Sequence, residues 1–147
     1  MGVNVCCWNG CLWFMPPNTT ISSQVYLNTL QEELQDSMLN GHCHWFQHDG
    51  APCHSAKVVK NWLVGNNIQL LHPWPGSSPD LNPIENCWAI LKKKVAQLRP
   101  TSLKDLENKI KSVCTEHITP GYCKTLIDSM PSRIQVVLAA KGGHTKY

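Results

Sequence analysis

Asp49 and Glu85 are the residues whose type and placement best suit chemistry in this sequence. Asp49 directly follows a short β-prone run, His44–His48, and open α/β sheets place ligands beyond the carboxyl ends of their strands. Glu85 falls in the first turn of a lysine-rich helical segment. Hard oxygen ligands from two separate elements suit Mg²⁺ or Mn²⁺, which favour carboxylate and water in octahedral geometry. Two such ions a few ångströms apart stabilise both the attacking and the leaving oxygen in phosphodiester cleavage. Structural roles compete for the same residues. Asn82-Pro83-Ile84-Glu85 has the pattern of a capping box with proline at the first helical position. Asp49 before Gly50 fits an Asx-turn, and Asp80 in Ser78-Pro79-Asp80-Leu81 fits another turn. Spacing alone does not choose between ligand and cap.

Three further groups could bind something. Lys92, Lys93 and Lys94 form a cationic run that suits phosphate-backbone contact, or a solvated helix face. His42-Cys43-His44, with His48, Cys53 and His54 close by, is dense in zinc-ligand types, yet its spacings match no closed tetrahedral pattern. The six Trp could stack on bases, but most fall on apolar faces where core packing is the default.

The elements that must position these side chains read as a mixed α/β arrangement, β-β-α-β-α-β-α-α-α. Val3–Trp8 and Leu12–Met15 are strands around the turn pair Asn9-Gly10. Pro16-Pro17-Asn18 ends the second strand. A helix is expected over 23–39, with Ser22 as N-cap, Ile21 and Tyr26 as a hydrophobic staple, and Leu27, Leu30 and Leu34 as its stripe. His44–His48 is a short strand entering the turn Asp49-Gly50-Ala51-Pro52. A helix over 54–65 carries Val58, Val59, Trp62 and Leu63 on one face and ends at Gly65. Ile68–Leu71 is a buried strand, followed by a Pro-, Ser- and Gly-rich ordered loop from Pro73 to Pro83. Helices at 83–98, 103–117 and 121–141 complete the chain, the last interrupted at Pro131. The first of these has Ile84, Cys87, Trp88, Leu91, Val95 and Leu98 on one face.

A length of 147 residues fits one domain. With 42% hydrophobic and 16% charged residues, the composition is too apolar for disorder. No window supplies the ~20 apolar residues of a membrane helix, and the first residues lack the basic start of a secretory signal. The eight Cys form no C-x-x-C pair and read as reduced packing residues of an intracellular protein. Charge is divided unevenly. Residues 1–56 hold four acids and no Lys or Arg, a net −4, whereas the rest carries all 13 basic residues against six acids, a net +7. Such asymmetry suggests a polyanion-facing half or a chain cut from something larger.

Two blocks narrow the reading: Gln47-His48-Asp49-Gly50-Ala51-Pro52-Cys53-His54, and Trp74-Pro75-Gly76-Ser77-Ser78-Pro79-Asp80-Leu81-Asn82-Pro83-Ile84-Glu85-Asn86-Cys87-Trp88. Together they resemble the catalytic domain of Tc/mariner superfamily transposases. Pro16–Ile21 with Gln24–Leu27 before them, and Ala140–Tyr147 after, agree with that resemblance.

The resemblance implies an RNase H-like fold and cut-and-paste DNA transposition by a DDE or DDD triad with two Mg²⁺ (or Mn²⁺) ions. By motif, Asp49 matches the second acid and Glu85 the third, each a catalytic residue and metal ligand. It further implies DNA as partner, pairing with further transposase subunits, a nuclear location, and no membrane or small-molecule substrate. Asp49 and Glu85 enclose 35 residues, one more than the family's usual spacing, and the extra residue falls at His72-Pro73-Trp74-Pro75. No residue here matches the first Asp, which the family carries on a central strand before the segment matching Val3–Trp8. The expectation is therefore an incomplete RNase H-like fold, a single truncated domain over 1–147 lacking that strand and the N-terminal helix-turn-helix region. Backbone groups facing the gap would make the isolated chain marginally stable. It would bind DNA weakly and without sequence preference, and would be inactive alone. Alternatives are a domesticated remnant acting as a non-catalytic DNA- or protein-binding module, and a zinc site built from His42, Cys43, His44, His48 and Cys53.

Overall fold

The alternation of Val3 and Val5 with polar Asn4 is the period-2 pattern of a strand, and the chain opens on an antiparallel hairpin. A computed structural model of the chain describes residues 3–6, 11–14, 19–34, 45–71, 74, 78–141, 143 and 145. Strands β1 (Val3–Cys6) and β2 (Cys11–Phe14) pair with Val3 opposite Phe14 and Cys6 opposite Cys11. The expected turn Asn9-Gly10 and the stop at Pro16-Pro17-Asn18 lie outside the described residues. The chain divides into two compact units, Met1–Gly76 and Ser77–Tyr147, and the division falls inside the Pro-rich stretch after Pro73.

In the first unit, helix α1 (Ser23–Thr29) starts where the sequence places it. The Ser22 hydroxyl accepts the Val25 N–H at 3.2 Å, satisfying one of the donors a helix leaves open. The buried Thr29 hydroxyl donates to the Val25 carbonyl, a bond that tends to bend helices, and the next turn, Leu30–Leu34, is π-helical. The remainder of the expected helix, 35–39, lies outside the described residues. Tyr26, Leu27, Leu30 and Leu34 pack with Val59, Leu63 and Ile68 into the core of this unit, with Phe46, Trp62 and Leu70 partly buried against it. Each such side chain contributes about 1.5–3 kcal/mol when taken fully out of water.

Two expectations need correction here. The strands foreseen at His44–His48 and Ile68–Leu71 shrink, among the described residues, to a single parallel bridge, Phe46 to Leu70. The Phe46 N–H donates to the Gln69 carbonyl at 2.8 Å, and the Leu71 N–H to the Phe46 carbonyl at 2.9 Å. One run turns away at Asp49, and the other meets Pro73, which has no N–H to give. The second correction concerns helix α2, which spans Lys57–Gly65 rather than starting at His54. Residues 51–55 form a turn instead, with the His54 and Ser55 N–H groups both donating to the Ala51 carbonyl. On α2, Val59 and Leu63 are fully buried, but Val58 faces solvent. The helix ends at Gly65 as expected, and the left-handed residue just beyond it is Asn67 (φ 54°). The Ile68 and Asn67 N–H groups donate to the Leu63 and Val64 carbonyls in a Schellman motif, which seats Ile68 beside Leu63 in the core.

The second unit is helical among its described residues. Helix α3 (Ile84–Leu98) buries Cys87, Leu91 and Val95, and α4 (Leu103–His117), packed beside it, buries Ile110, Val113 and Cys114. Ile84 and Trp88 are half-buried, and Leu98 is exposed. Ser102 caps α4 through the Asp105 N–H, while the Asp105 carboxylate accepts from Thr101. Helices α5 (Pro120–Asp128) and α6 (Met130–Ala139) break at Ser129, two residues before Pro131, as the sequence indicates. Proline removes an N–H and crowds the carbonyl four residues back. No helix among the described residues is long and apolar enough to cross a membrane.

Candidate functional site

Asp49 sits where the bridged run ends, and its carboxylate closes an Asx-turn. Oδ1 accepts the Ala51 N–H at 3.0 Å, as that reading of the sequence expects. The same oxygen also lies 2.6 Å from His54 Nδ1. An ionised carboxylate only accepts, so His54 Nδ1 carries the proton and donates. Among the described residues, Oδ2 has no partner. The Asp49 side chain is 63% exposed and that of His54 only 16%. The His54 ring lies 4.0 Å, centroid to centroid, from the buried Tyr26 ring and 5.5 Å from His48, with the two imidazoles 8° from parallel. The Tyr26 hydroxyl is hydrogen-bonded to His48 Nδ1 at 3.2 Å. Tyr26 thus ties the hydrophobic core to the turn. Partial burial pushes the Asp49 carboxyl up, but the Ala51 N–H, His54 and His48 together outweigh it and hold the group below the usual carboxylate value.

Glu85 belongs to the second unit and is exposed at the first turn of α3. Neither bond of the capping box foreseen there is made, and the Glu85 N–H donates to the Asn82 backbone carbonyl. Asn82 Oδ1 accepts the Ile84 N–H at 3.4 Å, but the Asn82 N–H that Glu85 would reach donates to the Pro79 carbonyl instead. A single 3₁₀ turn, Pro79–Leu81, takes the donor and frees the glutamate. No described residue pairs with the Glu85 carboxylate. The surrounding backbone is nevertheless fixed. Arg133, 3% exposed on α6, donates from Nη1 to the Asp80 carbonyl (3.0 Å), from Nη2 to Asn86 Oδ1 (2.9 Å) and from Nε to Ser129 Oγ (2.8 Å). Asp80 is a turn residue, as expected, and its Oδ2 accepts the Thr145 hydroxyl.

The remaining candidates divide. Lys92 and Lys93 are exposed, whereas Lys94, three residues after buried Leu91 and seven after buried Cys87, flanks the buried stripe of α3 and is half-buried. Of the zinc set, His42, Cys43 and His44 lie outside the described residues, while His48 and His54 are engaged by Tyr26 and Asp49. Cys53, Cys87, Cys114 and Cys123 form no disulfide, and the last three are buried. Burial, with Cys87 nearby, pushes the Cys114 thiol up, which suits an inert packing role. Core packing holds only in part for tryptophan: Trp45 is exposed, and Trp62, Trp74 and Trp88 are half-buried.

The donor chemistry fits Mg²⁺ or Mn²⁺. Among the described residues, no three His, Cys, Asp or Glu side chains are grouped to enclose an ion. Mg²⁺ needs no such cage, since it keeps several waters and takes one or two carboxylates. Asp49 Oδ2 and Glu85 are hard oxygens open to solvent.

Residues 5–107, which include both acids, match the family model described as DDE superfamily endonuclease. The chain belongs to this family. It is 38% identical over 102 residues to the Tcb2 transposase of Caenorhabditis briggsae and 39% identical over 102 residues to the Tc1 transposase of Caenorhabditis elegans. Both alignments cover 69% of this chain but 37% of the relative, so the chain spans little more than a third of the curated relatives' length. Among solved structures, the Mos1 transposase catalytic domain with Raltegravir and Mn superposes with a TM-score of 0.78 at 22% identity, over 92% of this chain and 71% of that one. The Mos1 strand transfer complex gives 0.81 at 23%, over 92% and 40%. These neighbours are RNase H-like transposase catalytic domains, and at such identity they establish the fold. The resemblance to Tc/mariner transposases carried by the two motif blocks is thus shown for this DDE-family chain.

Sequence reasoning missed two residues around the acids. His54 stands five positions after Asp49 inside the quoted block, yet its residue type places it with the zinc ligands rather than with Asp49. Its signal is an Asx-turn followed by a donor whose ring can fold back. Arg133 gave a weaker signal, a lone cation among apolar helical positions after Pro131.

Proposed function

We propose that these residues form part of the catalytic domain of a Tc/mariner-type DNA transposase, acting on DNA in the nucleus with Mg²⁺ or Mn²⁺ and in company with further transposase subunits. The observation that carries this reading is the Asp49 turn, whose carboxylate is held through one oxygen and open at the other. Asp49 and Glu85 serve as metal ligands and catalytic acids. When bound, the cation supplies Lewis-acid stabilisation of phosphate charge and lowers the pKa of water. The chain's own residues orient Asp49 through His54 and the Ala51 N–H, hold the Glu85 backbone through Arg133, and offer Lys92, Lys93 and Lys94 to phosphates. Phosphate contacts of this kind carry no sequence information.

Because cleavage needs three acids and these residues provide two, the 147-residue chain is expected to bind duplex DNA without cutting it. Fluorescence anisotropy against salt tests the binding. Affinity in the non-specific range, about 10⁻⁴–10⁻⁶ M, is expected, and replacing all three lysines with Gln should lower the log–log salt slope by about 2–3. Affinity unaffected by that replacement would remove the lysines from the interface. Mg²⁺-dependent nicking by the chain, abolished by Asp49→Ala, would overturn the claim that it does not cut.

A further inference from the structure

We propose that His54 is a positioning residue: by fixing Asp49 Oδ1 it selects Oδ2 as the oxygen offered to a divalent cation. The proposal rests on the reading of Asp49 as a metal ligand and concerns how that ligand is aimed. The terminal torsion of an aspartate is broad and roughly two-fold, so a carboxylate on a turn exchanges its oxygens freely unless something distinguishes them. Here two N–H donors converge on Oδ1, one from the Ala51 backbone and one from His54 Nδ1. The backbone donor alone would leave the carboxylate free to rock about a single bond. The imidazole supplies a second, charge-assisted bond from a different direction.

The ring is itself restrained. It is mostly buried, it packs at a tilt against Tyr26 with ring centroids 4.0 Å apart, and His48 lies nearly parallel to it. Tyr26 in turn is part of the core formed by Leu27, Leu30, Val59 and Leu63. A chain of contacts therefore runs from packed hydrophobic residues through Tyr26 and His54 to one carboxylate oxygen. Second contacts of this type, which orient a ligand without touching the metal, typically carry 10–100-fold in affinity.

Mn²⁺ binding to the 147-residue chain, followed by the electron paramagnetic resonance signal of free Mn²⁺, tests the assignment. His54→Phe keeps a ring against Tyr26 but removes the donor, and should weaken binding by about 10–100-fold. His54→Asn places an amide nitrogen near the Nδ1 position and should bring affinity back to within about threefold of the unaltered chain. His54→Gln places its amide near Nε2 and should not. Equal affinity in the Phe variant and the unaltered chain, or equal weakness in the Phe and Asn variants, would overturn the positioning role. Asp49→Asn separates the two ideas. If it abolishes Mn²⁺ binding while His54 variants do not change it, the ligand reading stands and the positioning role falls. If the unaltered chain binds no Mn²⁺, or Asp49→Asn leaves binding intact, both fall. A metal-free readout is the ¹⁵N resonance of the His54 ring. Nδ1 should appear protonated and should shift in Asp49→Asn; an unprotonated Nδ1 would count against the clamp.

Discussion

The turn that carries Asp49 holds the carboxylate itself, whereas the segment that carries Glu85 holds only the backbone on which the carboxylate rides. Asp49 is gripped through Oδ1 by Ala51 and His54. Glu85 has no such grip among the described residues, yet its neighbours Asp80 and Asn86 are both tied to the buried Arg133. The difference follows side-chain length. A short aspartate on a turn can be aimed by one ring, while a glutamate with three rotors is more easily placed by fixing where its helix begins. Ordering a free glutamate costs up to about 1.5–2 kcal/mol of rotamer entropy. The Asp49 turn has lost most of its freedom on folding, and Glu85 retains its own until something binds. One acid is preset and the other adaptable.

The sharpest way to break this contrast is to cut the Glu85 support. Arg133→Met keeps much of the side-chain volume but leaves the Asp80 carbonyl and Asn86 Oδ1 without their buried donor. We expect a loss of about 2–4 kcal/mol in urea unfolding of the chain. Arg133→Lys should recover only part, because one ammonium cannot reproduce the planar fork that reaches Asp80, Asn86 and Ser129 together. A Met variant that unfolds within about 0.5 kcal/mol of the unaltered chain would show that the clamp is dispensable.

Breaking the Asp49 support one step back should cost less. Tyr26→Phe preserves the ring contact with His54 and the core packing but removes the hydroxyl bonded to His48. The expected loss is about 0.5–1.5 kcal/mol, the net worth of one hydrogen bond. A loss above about 3 kcal/mol would mean that the hydroxyl has a larger structural part than one bond allows.

How far the sequence reveals this contrast differs between the two acids. The stripe Leu27, Leu30 and Leu34, the cap at Ser22, the packed Cys87 and Cys114 and the break before Pro131 are all legible, because each depends on residues a few positions apart. The roles proposed for Asp49 and Glu85 rest on motif resemblance rather than on periodicity. The supports are harder to read. His54 acts through a turn whose geometry only appears when the expected helix start at 54 gives way to Lys57. Glu85 has a capping-box sequence, yet the Asn82 N–H is taken by Pro79, a competition that spacing does not display. Arg133 reaches residues 47 and 53 positions away, and no local pattern encodes such a contact. The two strands that became one bridge fail for the related reason that a ladder depends on its neighbours as well as on its own residues.

The smallest expected effect concerns the proton on Asp49. Its folded-state value lies below 3.8, since the Ala51 N–H, His54 and His48 outweigh the opposing effect of partial burial. A depressed carboxyl contributes stability that is present above the unfolded value and is lost as pH falls through the folded one. The chain should therefore lose stability on acidification below 3.8, and Asp49→Asn should flatten part of that limb while leaving the neutral-pH behaviour of the second unit unchanged. Asp105 titrates in the same direction, held low first by its bond to Lys109, so some of the acid limb should survive in Asp49→Asn and shrink further when Asp105→Asn is added. Stability measured from pH 2 to pH 5, about the range over which ordinary carboxylates protonate, resolves the two contributions. If Asp49→Asn leaves the limb intact while Asp105→Asn removes all of it, the bonds at Oδ1 do not favour the ionised form, and the contrast between a held and an unheld acid loses its electrostatic half.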